Sequence, residues 1–132
     1  MDITQARKNT IDQQIRPWGG LNYIANNALR NIPREDFVPE KYKNLAFADI
    51  EIPLNNRAKM LSPKIEGRLL DALNIQKDEN VLEVGTGSGY LTAVISKLCK
   101  SITSIEIDED LSVSAQEKLN SLNINNTQLE VG

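Results

Sequence analysis

The chain has 132 residues, 40% of them hydrophobic, which is enough for one modest domain with a core. Fifteen lysines and arginines against 18 aspartates and glutamates leave a net charge of −3, so no basic surface argues for nucleic acid. There is no histidine, which excludes imidazole catalysis and histidine metal ligation, and the single cysteine, Cys99, cannot form an internal disulfide and points to a reducing compartment.

Residues 2–16 carry Ile3, Ala6, Ile11 and Ile15 on a partial apolar stripe, which predicts a helix stopped by Arg16-Pro17-Trp18-Gly19-Gly20. Tyr23, Ile24, Ala28 and Leu29 fit a short helix up to Asn31, and Pro33 to Pro39 is a proline-bracketed turn segment. Ala46 to Leu54 reads as extended, because Asp49 and Glu51 alternate with Ile50 and Ile52, and Asn55-Asn56-Arg57 is a loop. Ser62-Pro63 starts a helix: the serine can accept from free N–H groups as N-cap, and proline suits the first helical position. The expected apolar face of that helix is Ile65, Leu69, Ala72 and Leu73.

Val81 to Val84 is expected as a buried parallel strand. Leu91, Val94, Ile95 and Leu98 mark the helix after it, with Cys99 placed in that helix as a packing residue. Ile102 to Ile107 is the second strand; Leu111, Ala115, Leu119 and Leu122 fit another helix; Thr127 to Val131 is a third strand. The alternation predicts an α/β fold, with N-terminal helices followed by a Rossmann-like parallel sheet and crossover helices. Residues 1–60 form the expected N-terminal helical segment and 61–132 the partial Rossmann-like domain. With Gly132 at the end of the third strand, the expectation is a sheet truncated there, whose first strand is an edge that a second copy of the chain would cover. No apolar run approaches the roughly 18 residues of a membrane span and the N-terminus has no secretory h-region, so the expected location is cytoplasmic.

The chemistry concentrates in Val81-Leu82-Glu83-Val84-Gly85-Thr86-Gly87-Ser88-Gly89-Tyr90. A strand runs into three alternate glycines and then a helix start, a place where a nucleotide-like ligand can lie against bare backbone. Gly85 and Gly87 permit a sharp turn, Gly89 permits close helix–strand packing, and the N–H groups of the helix start are expected to face the ligand. Glu106 lies 21 residues after Gly85, near the end of the second strand, where an acid about 20 residues on accepts from ribose hydroxyls. The dinucleotide fingerprint G-x-G-x-x-G/A fails at its last position, which is Tyr90.

The spacing from Glu83 through Gly85, Gly87 and Gly89 instead resembles motif I of class I S-adenosylmethionine-dependent methyltransferases. Three further segments, Gln13 to Gly19, Ile32-Pro33-Arg34-Glu35-Asp36-Phe37-Val38-Pro39, and Ala46 to Ile50 with Ile52-Pro53-Leu54, resemble the protein-L-isoaspartate O-methyltransferase family in order and spacing. The resemblance implies S-adenosyl-L-methionine as cofactor, held by Glu83, Gly85, Thr86, Gly87, Ser88, Gly89, Glu106 and Ile107, with Glu83 fixing the loop or meeting the cofactor's ammonium through water. It implies, as substrate, an isoaspartyl carboxylate in a damaged protein or peptide. Anchored on Pro63, the family's serine position is Leu61 and Ser62 falls one residue later, so Ser62 is read as N-cap or as catalytic contact, and Lys59 or Lys64 is the alternative holder of a carboxylate. The alternative to an enzyme is a non-catalytic methyltransferase-like module that works through self-assembly or cofactor binding alone.

Overall fold

A computed structural model describes residues 2–10, 12 and 23–132. They fall into two compact units, Met1–Asn74 and Ile75–Gly132.

The first unit begins with helix α1 (Ile3–Asn9), whose first turn is capped by the Asp2 carboxylate accepting from Gln5 N. The predicted continuation through Ile11 and Ile15 lies outside the described residues, as does the Arg16–Gly20 stop. Helix α2 (Tyr23–Asn31) forms as expected and buries Ala25, Ala28 and Leu29. The proline-bracketed stretch is a 3-10 turn over Arg34–Phe37, with Phe37 fully buried, and a second 3-10 segment follows at Glu40–Leu45.

Most of Ala46 to Leu54 is not extended. Ala46 to Ile50 turns, and only Ile52–Pro53 (β1) pairs, antiparallel, with Lys59–Met60 (β2). The loop between them is set by Asn55, whose Oδ1 accepts from both Arg57 N and Ala58 N at 2.8 Å.

Helix α3 (Pro63–Leu73) starts where expected, but it buries a different face. Glu66, Gly67 and Leu70 point inward, whereas Ile65, Leu69 and Leu73 are exposed, Leu73 by 55%. The cause is an ion pair. Glu66 and Arg34 are each only 3% exposed and bond to one another, and Arg34 also donates to Ala46 O (2.7 Å) and Leu61 O (3.1 Å). A buried carboxylate requires such a partner. The pair therefore turns α3 so that Glu66 faces inward and the apolar stripe faces out. One guanidinium thus joins the 3-10 turn, the turn at Ala46 and the entry to α3.

The second unit is a three-stranded parallel sheet in the order β3 (Asn80–Val84), β4 (Ser101–Glu106), β5 (Thr127–Val131). Val81 pairs with Ile102 and Glu83 with Ser104 on one side of β4; Ser104 pairs with Leu129 on the other. Helix α4 (Tyr90–Ser96) joins the first two strands and α5 (Glu109–Ser121) the last two. The α/β alternation read from the sequence is therefore present, strand by strand. Helix α4 is buried on nearly every side, and α5 buries Ala115 and Leu119. Cys99 lies in the turn after α4 rather than in the helix, and its Sγ donates to Ser101 O. No helix among the described residues is long and apolar enough to cross a membrane.

Candidate functional site

The C-terminal ends of β3 and β4 lie side by side, and the glycine turn and Glu106 leave from them. Gly85, Gly87 and Gly89 all have positive φ (98°, 57° and 90°), conformations that side chains with a Cβ rarely adopt. A side chain on Gly85 would project into open space, with no protein atom within 4 Å. The turn is thus a bare-backbone cradle open on one side.

Glu106 is 6% exposed and closes the cradle. Its Oε1 accepts from Gly87 N at 2.8 Å and its Oε2 from Asp108 N at 2.9 Å. Each carboxylate oxygen retains capacity for a further donor, so ribose hydroxyls can still be accepted. The loop N–H groups behave differently from expectation. Gly85 N donates to Ile105 O, Gly89 N to Thr86 O and Tyr90 N to Ser88 Oγ, so these donors, like that of Gly87, are already used in shaping the turn. Thr86 and Ser88 are buried, and Ser88 acts as the local cap for the start of α4. Ile107, beside Glu106, is 85% exposed and offers an apolar surface.

Beneath the turn, Glu83 accepts at Oε1 from Ser104 Oγ (2.6 Å) and from Thr92 Oγ1 of α4. The expectation that Glu83 fixes the loop takes a specific form here: it acts through hydroxyls on neighbouring elements. Burial pushes the Glu83 carboxyl above the ordinary carboxylate range; the Ser104 and Thr92 hydroxyls pull the other way, and the Glu106 charge adds to the rise. A raised native pKa means the folded state holds the proton more tightly than the unfolded state. The stability this contributes is full at acid pH and is lost as pH rises through the native value. Relative to Glu83→Gln, the wild-type chain should therefore lose unfolding free energy as pH rises above the ordinary glutamate value of about 4.3, a trend that urea titrations at several pH values will read.

Glu106 and Glu83 at the turn favour a ligand with hydroxyls and positive charge.

In the first unit, Ser62 occupies the N-cap position of α3, yet its side chain makes no cap bond. Asp49 does that work from a distance: its Oδ1 accepts from Lys64 N at 3.1 Å and its Oδ2 lies 3.4 Å from Lys64 Nζ. Ser62 lines a hollow of about 180 Å³ with Asp49, Lys64, Ile65 and Arg68. Sequence reasoning singled out Ser62 and Lys64 but not Asp49 or Arg68. It also passed over Ser104 and Thr92, although a serine on the face that Ile102 and Glu106 also occupy was a readable signal.

The family model for protein-L-isoaspartate(D-aspartate) O-methyltransferase matches residues 7–132. Among curated relatives, the protein-L-isoaspartate O-methyltransferase of Myxococcus xanthus is 35% identical over 124 residues, 87% of this chain and 58% of its own. That of Aliivibrio fischeri strain MJ11 is 35% identical over 130 residues, 98% of this chain and 62% of its own. The chain thus spans about three-fifths of the length of these relatives. Two solved structures share the fold. One, a protein-L-isoaspartate O-methyltransferase, has a TM-score of 0.76 at 24% identity, over 86% of this chain and 38% of that one. The other, a protein-L-isoaspartate O-methyltransferase of Plasmodium falciparum in complex with S-adenosyl-L-homocysteine, has a TM-score of 0.78 at 19% identity, over 98% of this chain and 62% of that one.

Proposed function

Because the chain belongs to the protein-L-isoaspartate O-methyltransferase family, we propose that it binds S-adenosyl-L-methionine at the glycine turn and methylates isoaspartyl carboxylates in damaged proteins and peptides. The observation that carries this reading is the Glu106 carboxylate, buried at a strand end and closed onto Gly87 of an open glycine cradle. The Plasmodium falciparum structure, with S-adenosyl-L-homocysteine bound, supports the choice of cofactor.

The roles follow residue by residue. Gly85, Thr86, Gly87, Ser88 and Gly89 form the cradle, Glu106 accepts from the ribose, Ile107 gives the adenine an apolar contact, and Glu83 fixes the loop from below. Bound there, the cofactor would supply an electrophilic methyl group on sulfur for a substrate carboxylate oxygen. A carboxylate is already a competent nucleophile, so the chain has to position and desolvate it rather than deprotonate it. Ser62 is the hydroxyl we assign to hold that carboxylate, with Lys64 and Arg68 lining the same hollow. Residues 1–60, with Ser62, Lys64 and Arg68 at the start of α3, serve the substrate side, and the rest of 61–132 serves the cofactor. The acceptor is a protein or peptide in the cytoplasm, with no role for nucleic acid or membrane.

Incubation with tritiated S-adenosylmethionine and an isoaspartyl peptide should yield base-labile methyl ester, and the matching aspartyl peptide should yield none. No ester at saturating cofactor would refute the activity.

A second reading has its own observation. Among the described residues β3 has a strand on one side only, and Leu82 and Val84 on it are exposed, Val84 by 80%. Such an edge and face suit a partner chain. In this reading the chain binds cofactor without turnover and assembles with copies of itself. Light scattering separates the two: a monomer that forms ester excludes it.

A further inference from the structure

We propose that Ser104 is a positioning residue of the cofactor site, linking Thr86 of the glycine turn to Glu83 of β3 through its hydroxyl. The inference rests on the reading of the turn as a cofactor cradle.

Ser104 is fully buried on β4, directly opposite Glu83 in the sheet register and two residues before Glu106. Its Oγ is 2.6 Å from Glu83 Oε1 and 2.6 Å from Thr86 Oγ1. A serine hydroxyl has one proton. With an ionised Glu83, which can only accept, that proton goes to the carboxylate, and Thr86 must then donate to Ser104 Oγ. The direction of the chain is thereby fixed as Thr86 to Ser104 to Glu83, and Thr92 of α4 donates to the same carboxylate oxygen. Thr92 is also fully buried, and Thr86 nearly so, so these hydroxyls are well shielded from solvent.

Thr86 stands between Gly85 and Gly87, the two positive-φ residues that shape the cradle. The glycines supply the freedom to turn, and the bond to Ser104 selects one turn. The groups around Glu83 are the Ser104 hydroxyl and the Glu106 charge from β4 and the Thr92 hydroxyl from α4. Ser104 therefore acts in two ways: it anchors Thr86 and it favours the ionised form of Glu83.

The test is calorimetric titration of the 132-residue chain with S-adenosyl-L-homocysteine across a pH series, for wild type, Ser104→Ala, Ser104→Thr and Glu83→Gln. In wild type, affinity should rise with pH as Glu83 ionises beneath the ligand's ammonium. Ser104→Ala should weaken binding about tenfold, the scale of one hydrogen bond to a charged group, and move that pH step upward, because one of the two bonds that lower the Glu83 pKa is gone. Ser104→Thr should restore both, and Glu83→Gln should abolish the step. Uniform weakening of Ser104→Ala at every pH, no weakening, or failure of threonine to rescue would each overturn the proposal while wild-type binding persists. Absence of wild-type binding would instead defeat the cradle reading, and this proposal with it.

Discussion

Replacing Arg34 with leucine should lower the unfolding free energy by about 3–5 kcal/mol, the range for removing one partner of a buried ion pair. Glu66 would remain almost wholly enclosed without the guanidinium that it faces. The carbonyls of Ala46 and Leu61 would lose their donors at the same time. Urea unfolding will read the loss as a fall in midpoint at constant slope. Adding Glu66→Leu to Arg34→Leu should recover most of it, because the cost lies in keeping a buried carboxylate without its guanidinium rather than in the missing attraction. A loss below about 1 kcal/mol, the size of an exposed pair, would contradict the account. Since Arg34 holds the Leu61 carbonyl, one residue before Ser62, the same substitution should loosen the proposed carboxylate-holding segment.

The second large effect is expected at Glu106. Glu106→Ala should weaken S-adenosyl-L-homocysteine binding at least ~100-fold, since hydrogen bonds to a charged group contribute roughly 1.5–3 kcal/mol each and ribose contacts would be lost together with the bond from Gly87. Glu106→Gln should fall in between, because the amide keeps one acceptor oxygen and replaces the other with a donor. Calorimetry checks both. Equal binding by all three proteins would mean that the cradle is not where the cofactor lies.

Local pattern carried most of the second unit. Val81 to Val84, Ile102 to Glu106 and Thr127 to Val131 are short apolar-containing runs separated by amphipathic segments, which reads as a parallel sheet with crossover helices; the sheet buries one face of β4, whereas β3, expected to be buried, leaves Leu82 and Val84 exposed. The glycines were legible for a stronger reason: three positive-φ positions in five residues admit few other residue types. The first unit was harder to read because its organising contacts are distant in sequence. Arg34 and Glu66 are 32 residues apart, and Asp49 caps a helix that begins 14 residues later. A helical wheel places Ile65, Leu69 and Leu73 inward; only the ion pair shows that the wheel is turned the other way. The alternation of Ile50, Glu51 and Ile52 imitates a strand, yet Ile50 N bonds back to Ala48 O and the chain turns instead. In the site, the identity of the acid was readable, but its partner was not. Glu106 accepts from Gly87 N and Ser88 Oγ from Tyr90 N, so the helix-start donors expected from the sequence are partly used within the fold.

Proline-bracketed Arg34 and the glycine turn thus answer different questions. The first stabilises the N-terminal unit, and the second gives a ligand with hydroxyls and positive charge a place at the ends of β3 and β4. The measurement that tests this most directly is titration of the wild-type chain with S-adenosyl-L-homocysteine, with NAD as the control. Saturable one-site binding of S-adenosyl-L-homocysteine in the micromolar range is expected, and no binding of NAD, whose fingerprint glycine or alanine is replaced by Tyr90. Binding of NAD, or of neither ligand, would contradict it.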